Sequence, residues 1–227
     1  MGRPVSGAAR DAILQGIRTA LRDQAPAPYP ASAVAPWTPS PSRRGPELLS
    51  AFREELRLVG GDCRLVAKAA ELPAAVARYI EEGGWARVVI ADRPAVRDAV
   101  SALLRPAIRT GAATDIERAD CSVVQAESLL ADSGSAIVVL FDRAERLLPY
   151  LPPVCIIIGS VWDLHAGMTD AALEPMYGPA RRGIAGEAVI ITGPSRTADI
   201  EKTLVLGAHG PHTLTVFLVS EMPSVRP

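Results

Sequence analysis

Short apolar runs alternate with helical patterns through the middle of this chain, and that alternation limits the possible folds more than any other feature. Residues 63–67 read as a strand, 72–82 as a helix, 86–91 as a strand, and 94–105 as a helix entered through Asp92. Strands joined by crossover helices lie parallel, with the helices packed on the sheet they connect. The later runs 135–141, 154–158, 187–191 and 213–219 fit the same sheet. All but the last lack apolar–polar alternation, as expected of strands covered on both faces. The expected architecture is a three-layer αβα fold with a mostly parallel sheet.

The amino-terminal part is organised differently. Residues 7–23 place Ile13, Leu14, Ile17 and Leu21 on one stripe and Arg10, Gln15, Arg18 and Arg22 opposite, the pattern of an amphipathic helix. Seven prolines then fall between Pro26 and Pro46, which denies the backbone both helix and ladder hydrogen bonds. The spacing predicts an extended linker and three parts: a helix over 1–24, a Pro-rich linker over 25–46, and an α/β domain over 47–227 that begins with a helix near 47–58.

Of the 227 residues 48% are apolar, enough to bury one sizeable core with an appendage, and the 4% aromatic content makes that core aliphatic. All but two of the 24 basic residues are Arg, the exceptions being Lys68 and Lys202; guanidinium groups suit bidentate binding of carboxylate or phosphate. A formal net charge of −1 provides no broad positive field for nucleic acid or an anionic membrane. No apolar stretch approaches the roughly 20 residues of a membrane span, and the first residues lack a secretory pattern, so no membrane insertion and a cytoplasmic location are expected. Cys63, Cys121 and Cys155 stand far apart. No C-x-x-C pair exists, and neither an iron–sulfur cluster nor another metal or cofactor is expected in this chain by itself.

Ligands of open α/β sheets bind at the carboxyl ends of strands, which directs attention to the polar residues after each apolar run. The segment 131–135 contains Asp132, Ser133, Gly134 and Ser135; Asp132 there is a catalytic carboxylate on a tight turn or an Asx-turn residue closing a hairpin, and sequence alone favours the turn. In the segment 191–202 a strand ends at Gly193, a small residue that lets a ligand approach the backbone, and Pro194 suits the first turn of a helix. Ser195, Arg196 and Thr197 would then meet an anion where free N–H groups and the helix dipole favour one. Asp199 and Glu201 bring two negative charges close to it, for ribose hydroxyls, a metal or Arg196. On composition alone the plainer reading has Ser195 or Thr197 capping a short helix with Arg196 paired to an acid. Gly207 would end that helix, and His209 beyond it is a general base, an anion ligand or a turn histidine bonded to a carbonyl. His209 and His212 lack a third ligand for a metal. Asp163 and His165 are ambiguous in the same way, with a helix-start role favoured for Asp163.

The stretch 191–211, ITGPSRTADIEKTLVLGAHGP, closely resembles the carboxy-terminal signature of the lactate-utilisation (LUD) domain family. Asp132-Ser133-Gly134-Ser135 resembles that family's acidic-Thr-Gly-Thr turn, with Ser in place of both Thr, and Leu151-Pro152-Pro153-Val154 resembles its Leu-Pro-Pro strand entry. The resemblance covers nearly the whole chain. It implies a fold similar to the ribose-phosphate isomerase and CoA-transferase superfamily, and work beside cysteine-rich iron–sulfur partners that oxidise L-lactate to pyruvate. It assigns no catalytic residue to this subunit.

Three functions follow. The first is an accessory or ligand-binding subunit of a lactate-oxidising system, taking a small anionic ligand in one cleft between the 193–201 loop and the 132–135 turn. The second is an isomerase- or transferase-like enzyme acting on a phosphorylated or CoA-linked metabolite, with Asp132 or Glu201 as base or nucleophile. The third is an assembly scaffold whose first helix docks on a partner.

Overall fold

The computed structural model describes residues 7–22, 45–104, 107–109, 113–181, 186–198, 204–206 and 210–221. The expected 25–46 linker therefore falls almost wholly outside the described residues. The chain divides into two compact units, residues 1–38 and 39–227. Within the first, α1 (Gly7–Arg22) is the expected amphipathic helix, and its Ile13 and Ile17 are exposed.

The second unit opens with α2 (Pro46–Leu58), whose Pro46 occupies the first turn, where a missing N–H costs nothing. Six strands then form a wholly parallel sheet: β1 (Asp62–Val66), β2 (Val88–Ile90), β3 (Ile108–Arg109), β4 (Cys121–Gln125), β7 (Val154–Ser160) and β12 (Thr213–Val219). Their spatial order is β1-β12-β7-β4-β2-β3. The intervening helices are α3 (Leu72–Glu82), α4 (Pro94–Ala99) and α5 (Ala113–Glu117).

Burial explains why these strands read as unbroken apolar runs. Val88, Ile90, Val123, Ile156 and Phe217 pack with Val76 and Ile80 of α3 and Val96 of α4. The alternate residues Val89, Val124, Cys155, Ile157 and Val216 face Phe52 and Leu56 of α2. Successive strand residues point to opposite faces, and here both faces are covered.

Two of the runs expected in this sheet belong elsewhere. A second sheet, ordered β8-β5-β6-β9, consists of β5 (Ser128–Leu130), β6 (Ser135–Leu140), β8 (Leu164–His165) and β9 (Glu187–Ile191). β6 runs antiparallel to both β5 and β9. A hairpin cannot join neighbouring parallel strands, so the tight turn at 131–134 commits β6 to this sheet. Leu129, Ala136, Val138 and Leu140 of this sheet join the α2 side of the core, while Leu130 and Ile137 meet Ala172 of α6 (Asp170–Arg181).

The helix expected to run from 94 to 105 stops at Ala99, and Arg93, in extended backbone, holds its cap position. Asp92 instead receives a hydrogen bond from Arg97. Asp163 does not start a helix either. It closes the 3-10 turn Val161–Asp163, which Ser160 caps by accepting the Trp162 N–H at 3.2 Å.

Candidate functional site

Asp132, Ser133 and Gly134 lie in the turn that joins β5 to β6, so the hairpin expected for this segment is present. Gly134 has φ +64°, and a Cβ added there would fall 2.3 Å from Leu56 N and 2.7 Å from Leu56 Cα. The turn is pressed against the backbone of α2, and only glycine fits. Gly193 has φ +95°, and a Cβ on it would meet Val59 Cγ2 at 2.8 Å and Val59 O at 3.1 Å. The space expected for a ligand beside Gly193 is therefore taken by Val59, just past the end of α2. Both glycines serve packing.

Opposite this seam the two segments meet through hydroxyl groups. Ala136 pairs with Ile191, which brings Ser135 alongside Thr192. Ser133 Oγ lies 2.8 Å from Ser135 Oγ, and Ser135 Oγ lies 2.6 Å from Thr192 Oγ1. Ser135 is buried, Ser133 half-buried and Thr192 exposed, so the row leads from inside the turn to the surface. A hydroxyl has one proton to give and two lone pairs to accept with, so either member of each pair can be the donor. In the sequence Thr192 is one more polar residue after a strand, with nothing to mark it.

The helix expected after Pro194 is absent. Arg196–Ala198 forms β10, paired antiparallel with β11 (Leu204–Leu206), so Arg196 faces Leu206 and Thr197 faces Val205 in register. The Ser195 N–H donates to Pro211 O at 2.7 Å, which commits the backbone to the returning chain before a helical turn can begin. β-branched Thr197 and Val205 suit the extended form. An anion site based on a helix amino terminus is lost, while Ser195, Arg196 and Thr197 remain within a few residues of the hydroxyl row. Asp199, Glu201, Gly207 and His209 lie outside the described residues. His212 donates its backbone N–H to Pro153 O at 3.0 Å, and its Nδ1 is 3.2 Å from Thr213 Oγ1.

The cysteines belong to the core. Cys121 and Cys155 are buried on adjacent strands; burial pushes the Cys155 thiol up to about 12 and raises that of Cys121, with Cys155 and Asp120 adding to it. Cys63, half-buried, is pushed up to about 11, again by burial. Among the described residues no group of three His, Cys, Asp or Glu side chains is placed to hold a metal, and no helix is long and apolar enough to cross a membrane.

The LUD domain family matches residues 49–219, from the second turn of α2 to the last residue of β12. The chain belongs to the LUD domain family. Lactate utilization protein C of Geobacillus thermodenitrificans (strain NG80-2) is 32% identical to this LUD protein over 93% of this chain and 96% of its own length. A protein of the same name from Geobacillus kaustophilus (strain HTA426) is 30% identical over 77% of this chain and 79% of its own. The uncharacterized protein YkgG of Escherichia coli (strain K12) is 33% identical over 70% and 73%. Among solved structures, a DUF162 family protein from Deinococcus radiodurans shares the fold, with a TM-score of 0.54 over 77% of this LUD protein and 97% of that chain, at 20% identity.

Proposed function

We propose that this LUD protein is a component of a multi-subunit system that oxidises L-lactate to pyruvate, acting there as an accessory, ligand-binding subunit. Its likeness to Lactate utilization protein C over almost the full length of both chains is the observation that carries this reading. Its thiols are engaged in packing the sheet and held protonated, which supports placing the electron carriers on cysteine-rich iron–sulfur partners. The ligand is a small anion bound in the cytoplasm beside the Ser133-Ser135-Thr192 row, with Gly134 shaping the turn, Asp132 at its entrance and Arg196 as the cation. Ser195 and Thr197 supply hydroxyl groups, and Gly193 supplies the positive-φ backbone that seats the end of β9 against Val59. Asp199, Glu201 and His209, which follow in sequence, complete the set.

The test is genetic and biochemical together. A strain lacking the chain should fail to grow on L-lactate, and the full chain should restore growth and co-purify with the cysteine-rich subunits. Arg196→Ala should abolish that growth with a nearly unchanged melting temperature, since Arg196 is proposed to serve the ligand and not the fold. Lactate oxidation by the purified chain alone would overturn the accessory role.

A further inference from the structure

Parallel sheets bind ligands outside the carboxyl ends of their strands, where successive connections leave in opposite directions. In this sheet that place lies between the neighbours β2 and β4. From β2 the chain passes through α4 to β3 on one side, and from β4 it passes through the second sheet to β7 on the other. The side chains set there are Arg93, three residues past the end of β2, and Glu127, two past the end of β4.

Arg93 is held firmly by little. Its Nη2 donates to Val139 O at 2.6 Å, its guanidinium lies over the Phe141 ring at 4.5 Å, and its Nη2 is 3.9 Å from Glu127 Oε1. That last distance is an ion pair without a hydrogen bond. Among the described residues the Val139 carbonyl is the one hydrogen-bond acceptor of a guanidinium that carries five N–H donors. Both side chains are largely buried yet reachable, 22% and 27% exposed. The backbone around them is fixed: Glu145, itself buried, accepts the Asp92 N–H at 2.7 Å, and the Glu127 N–H donates to Ile137 O at 2.8 Å. Burial raises the Glu127 carboxyl, with Arg93 opposing and Asp163 adding to the shift.

A stacked, partly desolvated guanidinium is a receptor for a carboxylate. A neighbouring carboxyl group that readily takes a proton is a partner for a hydroxyl or keto oxygen. We propose that Arg93 and Glu127 form a binding site for a short 2-hydroxy- or 2-oxo-carboxylate, with Arg93 on the carboxylate and Glu127 on the adjacent oxygen. The class of ligand rests on the lactate reading above; the position of the site does not. β6 separates this site from the hydroxyl row, with Ser135 at one end and Val139 four residues on, about 13 Å along the strand.

Isothermal titration of the full chain with L-lactate and with pyruvate tests this, with propionate and inorganic phosphate as comparisons. Binding of either 2-substituted acid should exceed that of propionate at least tenfold, and phosphate should bind no better than propionate. Arg93→Gln should weaken binding at least tenfold. Because Arg93 also ties down Val139, Glu127→Gln is the second variant, and it decides if Arg93→Gln does not fold. Wild-type affinity should fall as pH rises through the Glu127 titration, in the field of Arg93, Asp163, Asp92, Arg97 and Glu145, whereas Glu127→Gln should show a flatter profile. Equal affinity and pH dependence in wild type and Glu127→Gln, or no binding by the folded wild type, would overturn the site. If the chain still supports growth on lactate in that case, this proposal falls alone and the subunit role stands.

Discussion

Replacing Gly134 by alanine should be among the costliest single-methyl additions in the molecule, and the structure separates the cost into two parts. The first is conformational: at φ +64° an L-residue loses about 1–2 kcal/mol. The second is steric. The new Cβ would stand 2.3 Å from Leu56 N and 2.8 Å from Glu55 C, about 1.2 and 0.7 Å inside ordinary contact at about 3.5 Å. These neighbours are helix backbone and cannot rotate aside, and the helix cannot slide because Phe52 and Leu56 are fully buried. Overpacking of this kind costs about 1–3 kcal/mol, for a total of about 2–5 kcal/mol and a fall in Tm of roughly 5–15 °C. Gly84 is the control. It has φ +68° with nothing within 4 Å of the added Cβ, so Gly84→Ala should lose only the conformational part. Urea unfolding of both variants at a common m value measures the difference. Equal losses would refute the claim that the turn is seated on α2.

Ser135→Ala should destabilise by about 1–3 kcal/mol, because Ser133 and Thr192 both lose their partner, and Ser135→Thr should keep most of that stability; denaturant midpoints check both. For Glu127 the sign follows from its raised folded-state pKa. The native state holds that proton more tightly than the unfolded chain, so the stabilisation is complete below the ordinary carboxylate range and is lost as pH rises through the native titration. Glu127→Gln should therefore raise Tm near pH 7 and lose that advantage near pH 4, as melting curves at both values would show. A thiol-reactive dye at pH 8 should leave Cys121 and Cys155 unmodified in the native protein and label both after unfolding; rapid native labelling would contradict their place in the sheet. Leu56→Ala should cost about 2–5 kcal/mol, measured in the same way, since Leu56 is fully buried beneath both sheets.

The helices with strong punctuation were legible in the sequence. α3 spans the expected 72–82, and α2 begins one residue early because Pro46 enters its first turn. The assignment of strands to sheets was not legible, because a run buried on both faces looks the same whichever neighbour it pairs with. The 135–141 and 187–191 runs show this, and only the short turn before Ser135 marks β6 as half of a hairpin. β4 is not legible in the sequence because Ser122 interrupts its apolar run; that hydroxyl is fully buried and donates to Leu148 O at 2.8 Å. After Pro194, a Gly-Pro pair followed by polar residues carries the same local signal for a helix as for a hairpin. The choice is made by Ser195 bonding to Pro211, a contact between residues distant in sequence. The turn hydroxyls were visible beforehand. Thr192 became meaningful only once the β6–β9 register set it beside Ser135.

The position of β12 between β1 and β7 has a consequence for synthesis of the chain. Asp62 pairs with Thr215 and Val66 with Val219, so each contact closes a loop of about 150 residues. On a ribosome adding about 5–20 residues per second, β1 emerges roughly 8–30 s before the strand that completes its edge. During that interval β1 has no partner in its own sheet, and β7, once made, presents an unpaired edge beside β4 until β12 follows. Such edges recruit other chains. Production of folded protein should therefore depend on how quickly nascent chains reach the last strand and on how crowded they are, in a way that the equilibrium stability of the finished molecule does not reveal.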